Sequence, residues 1–294
     1  MFIIYTTKGA ENMDSKKKNP IVQPIIWIME GILIGFGAIL PGISGGALLV
    51  AFGMYKPIID LLSNPFKNIK KYIYMLVFVI IGGAIGFVGL SGLAAYLLEK
   101  NTAILTCVFA GFIIGTIPEL LEDAVEVEPR SNKSYISMSI GFLVLLTILM
   151  LLKQNTNVIL EPNFFSFLFC GLIWGLSFIV PGLSSSSLLL FFGLYQPMLD
   201  GISKLDFSVL IPLAITFIAC ILLLSKAVNK LFEKQHNIAS HAIVGIVIAT
   251  TLMILPSFNT TFINILFYLL SIVLGGLVSY IFTRICKKLK QKYN

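Results

Sequence analysis

Gly35-Phe36-Gly37-Ala38-Ile39-Leu40-Pro41-Gly42-Ile43-Ser44-Gly45-Gly46, followed by Phe52-Gly53-Met54-Tyr55, is the stretch that decides how this chain folds. It lies inside an apolar run and interrupts it. Pro41 stops the helix before it, because a proline disrupts the preceding turn. Gly42 permits a tight turn, and Ser44 fits the N-cap of the helix that resumes. The pattern returns 140 residues later as Pro181-Gly182-Leu183-Ser184-Ser185-Ser186-Ser187, then Gly193-Leu194-Tyr195. Between 31–60 and 171–200, 13 of 30 positions agree, among them Gly31 with Gly171, Gly35 with Gly175, Pro57 with Pro197 and Asp60 with Asp200. Two apolar helices often share residues by chance. Recurrence of Pro, Gly, Ser, Tyr and Asp in one register is a different matter. A second echo, offset by 134, pairs Glu99, Lys100, Ile104, Gly111, Ile114 and Thr116 with Glu233, Lys234, Ile238, Gly245, Ile248 and Thr250. The chain reads as a duplication.

Outward from these motifs the composition fixes the class. Of 294 residues, 57% are hydrophobic and 12% charged, with a mean hydropathy of +0.94. Soluble domains carry roughly 25% charged residues. So much apolar surface cannot be hidden in a water-soluble globule, so the chain is an integral membrane protein. Soluble enzymes, nucleic-acid binders and secreted disulfide scaffolds are excluded. Cys107, Cys170, Cys220 and Cys286 are scattered singly, and neither His236 nor His241 has a metal-like partner spacing. They read as buried packing residues, and no metal or cofactor is expected.

Several apolar stretches exceed the length needed to cross roughly 30 Å of hydrocarbon. The pairs 24–40 with 43–55, and 164–180 with 183–195, are broken by the Pro-Gly motifs, and each 13-residue second arm reaches only about 20 Å. The Lys and Arg distribution separates two readings. If each pair turns back as a re-entrant hairpin and the N-terminus is cytoplasmic, 18 cations face the cytoplasm and three, Lys100, Lys153 and Lys204, face outside. If each pair crosses once, the split is 14 to seven. The hairpin reading fits better. The expected fold is an all-α polytopic membrane protein of two inverted-topology repeats, each a re-entrant helical hairpin plus three transmembrane helices. Its parts are a cytosolic tail (1–20, with Met13 an alternative start), repeat 1 (21–152, hairpin 24–55), a linker (153–163), repeat 2 (164–285, hairpin 164–195) and a basic cytosolic tail (286–294).

A helix broken inside a bilayer exposes backbone donors that need partners, and such breaks persist where they line a cavity or bind something. A helix N-terminus favours phosphate or carboxylate. Two such ends entering from opposite faces would meet near the midplane, and the serines would add donors without fixed charge. The candidate anion-binding residues are therefore Pro41, Gly42, Ser44, Gly45 and Gly46 in the first tip and Pro181, Gly182, Ser184, Ser185, Ser186 and Ser187 in the second. The competing reading is that Pro-Gly-Ser merely kinks packed helices. Glu30, an acid amid Ile28, Met29 and Ile32, is a candidate proton-titrating or gating group, although Cys170 stands at the matching place in the second half. Tyr55-Lys56-Pro57 and Tyr195-Gln196-Pro197 read as interfacial helix ends. The acidic run Glu119, Glu122, Asp123, Glu126 and Glu128 reads as a solvated cytoplasmic loop. Gly82-Gly83 with Gly86, and Gly275-Gly276, suit close helix packing.

At the two tips the sequence resembles the bacterial PopT-type polyprenyl-phosphate transporters, domain-of-unknown-function family 368. The likeness covers nearly the whole chain after residue 20. It implies a carrier that returns undecaprenyl phosphate from the outer to the inner leaflet for cell-wall synthesis, with the Pro-Gly-x-Ser tips handling the phosphate. The first tip keeps Gly45-Gly46 where the second has Ser185-Ser186, so the two tips need not act equally. A partial likeness to undecaprenyl-pyrophosphate phosphatases also exists. Their loop arginine is replaced here by Gly45 and Ser185, and phosphoanhydride cleavage needs cationic clamps.

The expected function is thus translocation of a polyprenyl-phosphate lipid, without enzymatic activity, in the bacterial cytoplasmic membrane. Moving a phosphate inward against a negative-inside potential costs about 2.3 kcal/mol per charge per 100 mV. A co-moving proton or cation, or consumption of the carrier on the inner side, would compensate. The alternatives are a secondary transporter of a small anionic solute, an intramembrane lipid phosphatase and a non-catalytic scaffold.

Overall fold

Long continuous runs of apolar residues with few charges satisfy their backbone in lipid as helices, and that is what forms. The computed structural model describes residues 22–41, 48, 52, 54, 57, 65–125, 129–155, 159–180, 183–256 and 261–293. Among these are eight helices and no strand: α1 Val22–Ile39, α2 Pro65–Asp123, α3 Asn132–Asn155, α4 Phe164–Ile179, α5 Ser185–Phe191, α6 Tyr195–Ser203, α7 Phe207–Ile254 and α8 Phe262–Tyr293. The fold is all-α, as expected. Five stretches among the described residues are long and apolar enough to cross a membrane.

The first of those stretches, Ile69–Asp123, has 55 residues, about 80 Å at 1.5 Å per residue, far more than one crossing needs. It is divided at Asn101, whose backbone is extended (φ −156°, ψ 81°). The Asn101 side chain accepts a hydrogen bond from the Ile104 N–H at 3.1 Å and so caps the segment that follows. α7 is divided in the same manner at Gln235 (φ −143°, ψ 46°). Asn101 and Gln235 are 134 residues apart, the offset of the second echo.

The described residues fall into two compact units, one within Ser91–Tyr280 and one within Phe2–Leu90 and Ile281–Asn294. In the smaller unit, α1 lies against the first segment of α2 through glycines. A Cβ at Gly31 would sit 2.3 Å from the Val79 carbonyl oxygen, at Gly82 2.1 Å from that of Ile28, and at Gly86 2.2 Å from that of Ile32. Only glycine lets the backbones come so close, and close approach is what drives helix association in lipid. Trp27 packs edge-on to Tyr74 and stacks with Phe78 beside this seam.

The larger unit holds a related contact. A Cβ at Gly171 on α4 would meet the Leu213 carbonyl oxygen of α7 at 2.1 Å, and the Thr216 hydroxyl donates to the Leu168 carbonyl across the same seam at 2.7 Å. Gly31 faces Val79 as Gly171 faces Leu213, the register that the offsets of 140 and 134 dictate. Here Thr216 and Phe217 stand where Gly82 and Gly83 stand in the first half.

The close packing expected at Gly275-Gly276 appears in the first of two further seams, whose partner helices the sequence did not name. A Cβ at Gly111 would lie 2.3 Å from the Ile272 carbonyl oxygen, and one at Gly275 2.4 Å from that of Val108, so the second segment of α2 packs on α8. A Cβ at Gly245 would lie 2.0 Å from the Met138 carbonyl oxygen, and one at Gly141 2.5 Å from that of Ala242, so the second segment of α7 packs on α3. Every residue of the first seam corresponds to one of the second by a shift of 134. The last helix of each half therefore packs on the other half, and a rigid separation of 21–152 from 164–285 would break both seams.

Three local expectations are corrected. Tyr195 is not an interfacial anchor at a helix end. It opens α6, is 1% exposed and packs edge-on against Phe109 with ring centroids 5.9 Å apart. Its counterparts Tyr55 and Lys56 lie outside the described residues. The arm expected over 183–195 is helical only over Ser185–Phe191. Gly193, at φ +70°, ends it in a left-handed cap, with the Leu194 N–H reaching the Leu189 carbonyl at 2.9 Å and the Gly193 N–H reaching Leu190 at 3.1 Å. Glu119, Glu122 and Asp123 belong to the final turns of α2 rather than to a loop, and Glu126 and Glu128 lie outside the described residues.

Between α6 and α7 the chain turns through Leu205 at φ 53°. Asp206 then caps α7: its carboxylate accepts from the Ser208 N–H at 2.9 Å and from the Ser208 hydroxyl at 2.7 Å. Those bonds, the hydroxyl's first, hold the Asp206 carboxyl below its ordinary range. Because the folded value is the depressed one, the cap's stabilisation is fully present above the ordinary carboxylate pKa and is lost as pH falls through the lowered value. Asp206→Asn keeps the cap and should flatten the acid limb of the thermal-unfolding midpoint between about pH 5 and pH 2, leaving neutral-pH stability little changed.

Candidate functional site

The second tip is built from the end of α4 and the start of α5. Val180 leaves the helix with extended backbone (φ −104°, ψ 106°), its N–H still bonded to the Leu176 carbonyl. Pro181 and Gly182 lie outside the described residues. The Leu183 N–H returns to the Val180 carbonyl at 3.3 Å, and Ser184 occupies the N-cap of α5 with extended backbone (φ −93°, ψ 105°). The position is the expected one, but its side chain makes no capping bond. The Ser184 and Ser186 hydroxyls lie 3.3 Å apart instead.

Ser187 is fully buried, and its hydroxyl bonds the Ser184 carbonyl at 2.9 Å and the Thr250 hydroxyl at 3.2 Å. Thr250 in turn donates to the Val247 carbonyl at 3.0 Å. Ser186 is 6% exposed, while Ser184 and Ser185 are half-buried. Ser184, Ser186 and Ser187 thus come together with Thr250 of α7. The cluster is held by apolar packing: Val180, Leu190 and Phe191 lie against a core of Ala110, Ile113, Phe232, Ile243 and Val247. No charged side chain occurs over 183–191, so the cluster offers neutral donors only.

In the first tip, α1 ends at Ile39, with the Leu40 N–H bonded to the Phe36 carbonyl at 3.0 Å. Pro41 is buried. Gly42, Ser44, Gly45 and Gly46 lie outside the described residues. Beyond them Leu48 is 2% exposed and packs with Cys286 of α8, flanked by Ile34, Phe52 and Phe282. Glu30 lies on α1, half-buried, one residue before the Gly31 contact.

Three polar groups were given no part in a site by the sequence reading. Thr250 entered only as one of the repeated positions. Ser177, on the last turn of α4, and His241, on α7, each keep a buried polar atom, Oγ and Nε2 respectively, without a hydrogen-bond partner. His241 is 1% exposed, and its Nδ1 lies 2.8 Å from the Asn237 carbonyl oxygen. The Asn237 side chain donates to the Pro129 carbonyl at 3.1 Å and accepts from the buried Ser134 hydroxyl. This network ties the start of α3 to α7. A lone histidine and a lone asparagine in apolar surroundings carry no spacing signal that would have found it.

The fold and the tip describe a multi-pass α-helical membrane protein with a neutral hydroxyl cluster at a broken helix pair. The chain belongs to the VCA0040-like family, described as undecaprenyl phosphate translocase-like, whose model matches residues 2–132 and 65–266. Two curated relatives carry the name polyprenyl-phosphate transporter. One, from Staphylococcus aureus (strain NCTC 8325 / PS 47), is 27% identical over 283 residues, covering 90% of this chain and 98% of the relative. The other, from Vibrio cholerae serotype O1 (strain ATCC 39315 / El Tor Inaba N16961), is 22% identical over 242 residues, covering 78% of this chain and 76% of the relative. The resemblance read from the tips is thereby borne out. No solved structure matches the chain.

Proposed function

We propose that this protein carries polyprenyl phosphate, undecaprenyl phosphate in the first instance, from the outer to the inner leaflet of the bacterial cytoplasmic membrane, returning the carrier lipid for cell-wall synthesis. The observation that carries this reading is the match to a polyprenyl-phosphate transporter along 98% of that relative's length. The phosphate is handled by Pro41, Gly42, Ser44, Gly45 and Gly46 and by Pro181, Gly182, Ser184, Ser185, Ser186 and Ser187, while the prenyl chain stays in lipid. Neutral hydroxyls suit a carrier because they replace water around the anion without the fixed charge that would hold it fast. Hydrogen bonds to a charged acceptor contribute about 1.5–3 kcal/mol each. The same lack of a cation over 183–191 leaves a developing phosphoryl charge without a clamp and disfavours hydrolysis. Glu30 is the nominee for a coupling proton.

The seams that join each half's last helix to the other half bear on the mechanism. Exposure of the tips to each leaflet in turn proceeds by movement of the broken helix pairs, with those seams intact. Both termini lie in the cytoplasm, the repeats are 21–152 and 164–285, and each tip region is a re-entrant hairpin. In a cysteine-free background, Lys67→Cys and Lys204→Cys should label from opposite faces of the membrane; labelling from one face would overturn the inverted topology. Purified protein in liposomes should neither accumulate labelled inorganic phosphate nor release phosphate from polyprenyl pyrophosphate. Uptake would favour the small-anion transporter, and release the phosphatase.

A further inference from the structure

The seam between α3 and α7 leaves a groove of about 350 Å³ lined by Ser137, Ile140, Val144 and Ile148 of α3 with Ala242 and Ile246 of α7. α3 is a membrane-length helix, and Ile140, Val144 and Ile148 are about half exposed, so in a bilayer the groove opens to hydrocarbon. Gly141 sets its floor, since the missing Cβ is what lets the Ala242 backbone close the far side. From Ser137 to Ile148 the groove follows α3 for about 16 Å at 1.5 Å per residue.

Its polar end is built differently. Residues 133, 137, 140, 144 and 148 recur at helical spacing, so they share one face of α3. Lys133, exposed in the first turn of α3, therefore stands on the groove's own stripe, one turn beyond Ser137. Ser131 and Ser134 close that turn, with the Ser131 N–H donating to the Ser134 hydroxyl at 3.0 Å. The Ser134 and Asn237 side chains pin it to α7. Arg130, exposed nearby, donates to the Leu121 carbonyl at the acidic end of α2, 3.4 Å away, and Lys133 is the cation that helical spacing places on the groove's stripe. Tyr135, 51% exposed, is of the type that marks a headgroup boundary.

The geometry points to a lipid-docking site: the α3–α7 groove holds the single hydrocarbon chain of a polyprenyl phosphate, with its phosphate on Lys133 at the membrane surface. The inference rests on the transport reading above and adds a second station, distinct from the tips, at the leaflet face where α3 begins. Charge complementarity and the form of the groove select the occupant. A cation on the stripe of a single apolar furrow matches a lipid with one anionic head and one chain better than a two-chain phospholipid.

The test uses the full-length protein in phosphatidylcholine nanodiscs with a polyprenyl phosphate that carries a photoreactive diazirine in its first isoprene units. Peptide mapping should place adducts on residues 137–148. Lys133→Gln should lower their yield about fivefold, the effect of one cation near an anionic headgroup. Val144→Trp, which fills the furrow from its lipid-facing side, should lower it as well. Unlabelled polyprenyl phosphate should displace the adduct, and phosphatidylglycerol should not. Equal displacement by phosphatidylglycerol, or adducts confined to other segments, would overturn the groove while leaving transport intact. Absence of any adduct together with absence of leaflet exchange would remove the transport reading and the groove with it.

Discussion

Ser44→Leu combined with Ser184→Leu should abolish rescue of cells starved of carrier-lipid recycling while leaving the amount of membrane-inserted protein unchanged. The expectation follows from the physics of an anion in a dry site. On the proposed reading each serine hydroxyl would donate to the phosphate in place of water, and a hydrogen bond to a charged acceptor contributes about 1.5–3 kcal/mol. Loss of two such donors corresponds to at least a hundredfold fall in rate, at about 1.4 kcal/mol per factor of ten. Leucine also places a branched apolar group where the headgroup must come close. Ser184→Ala alone should be milder, since Ser186 lies 3.3 Å from the Ser184 hydroxyl and can take part of its role. Immunoblotting of washed membranes provides the control. Full rescue by the double variant at normal protein level would discard the tips as the phosphate site.

The second large effect concerns the crossed seams. Gly245→Val and Gly111→Val should each collapse the fold, because their Cβ atoms would sit 2.0 Å from the Met138 carbonyl oxygen and 2.3 Å from that of Ile272. Those neighbours are helix backbone and cannot swing aside, so the cost should exceed the 1–3 kcal/mol typical of an overpacked core, reaching roughly 3 kcal/mol or more. The readouts are yield in membranes and the thermal-unfolding midpoint in detergent. Gly89→Ala is the internal control: nothing lies within 4 Å of its Cβ, and its midpoint should hold. Since the two seams are copies of each other, the two valine variants should fail to a similar degree. If Gly111→Val failed while Gly245→Val behaved as the parent, the α3–α7 seam, and the groove along it, would be wrong.

What the sequence disclosed, it disclosed through residues with few alternative uses. Pro41 and Pro181 are each followed by glycine, and the pair signals a break that proline alone does not, since Pro118 and Pro212 lie inside α2 and α7. Gly31 and Gly171 recur because helix backbones meet there. Apolar length alone gives spans. The rest was hidden for physical reasons. Asn101 and Gln235 divide long helices, but neither residue type is a helix breaker, and the second lies among residues that favour helix. At Asn101 the side chain caps the segment that follows. Tyr195 resembles an interfacial aromatic because Gln196 and Pro197 follow it, yet after the left-handed turn at Gly193 it packs against Phe109. The pairing of α3 with α7 and of α2 with α8 leaves only glycines in the sequence, and glycine identifies a close approach without naming the partner. At the second tip the four serines were legible, whereas Thr250 needed the fold to bring it within 3.2 Å of Ser187.

The most direct measurement is leaflet exchange of a fluorescent polyprenyl phosphate in liposomes that contain only the purified protein, read by quenching of the outer-leaflet label. Carriage of the lipid by the tips requires that the parent protein bring the inner-leaflet pool into exchange, that the Ser44→Leu/Ser184→Leu variant at equal incorporation not do so, and that no inorganic phosphate be released in either case. A protected inner pool that stays the same with and without the parent protein, or exchange that the double variant sustains at the parent rate, would contradict it.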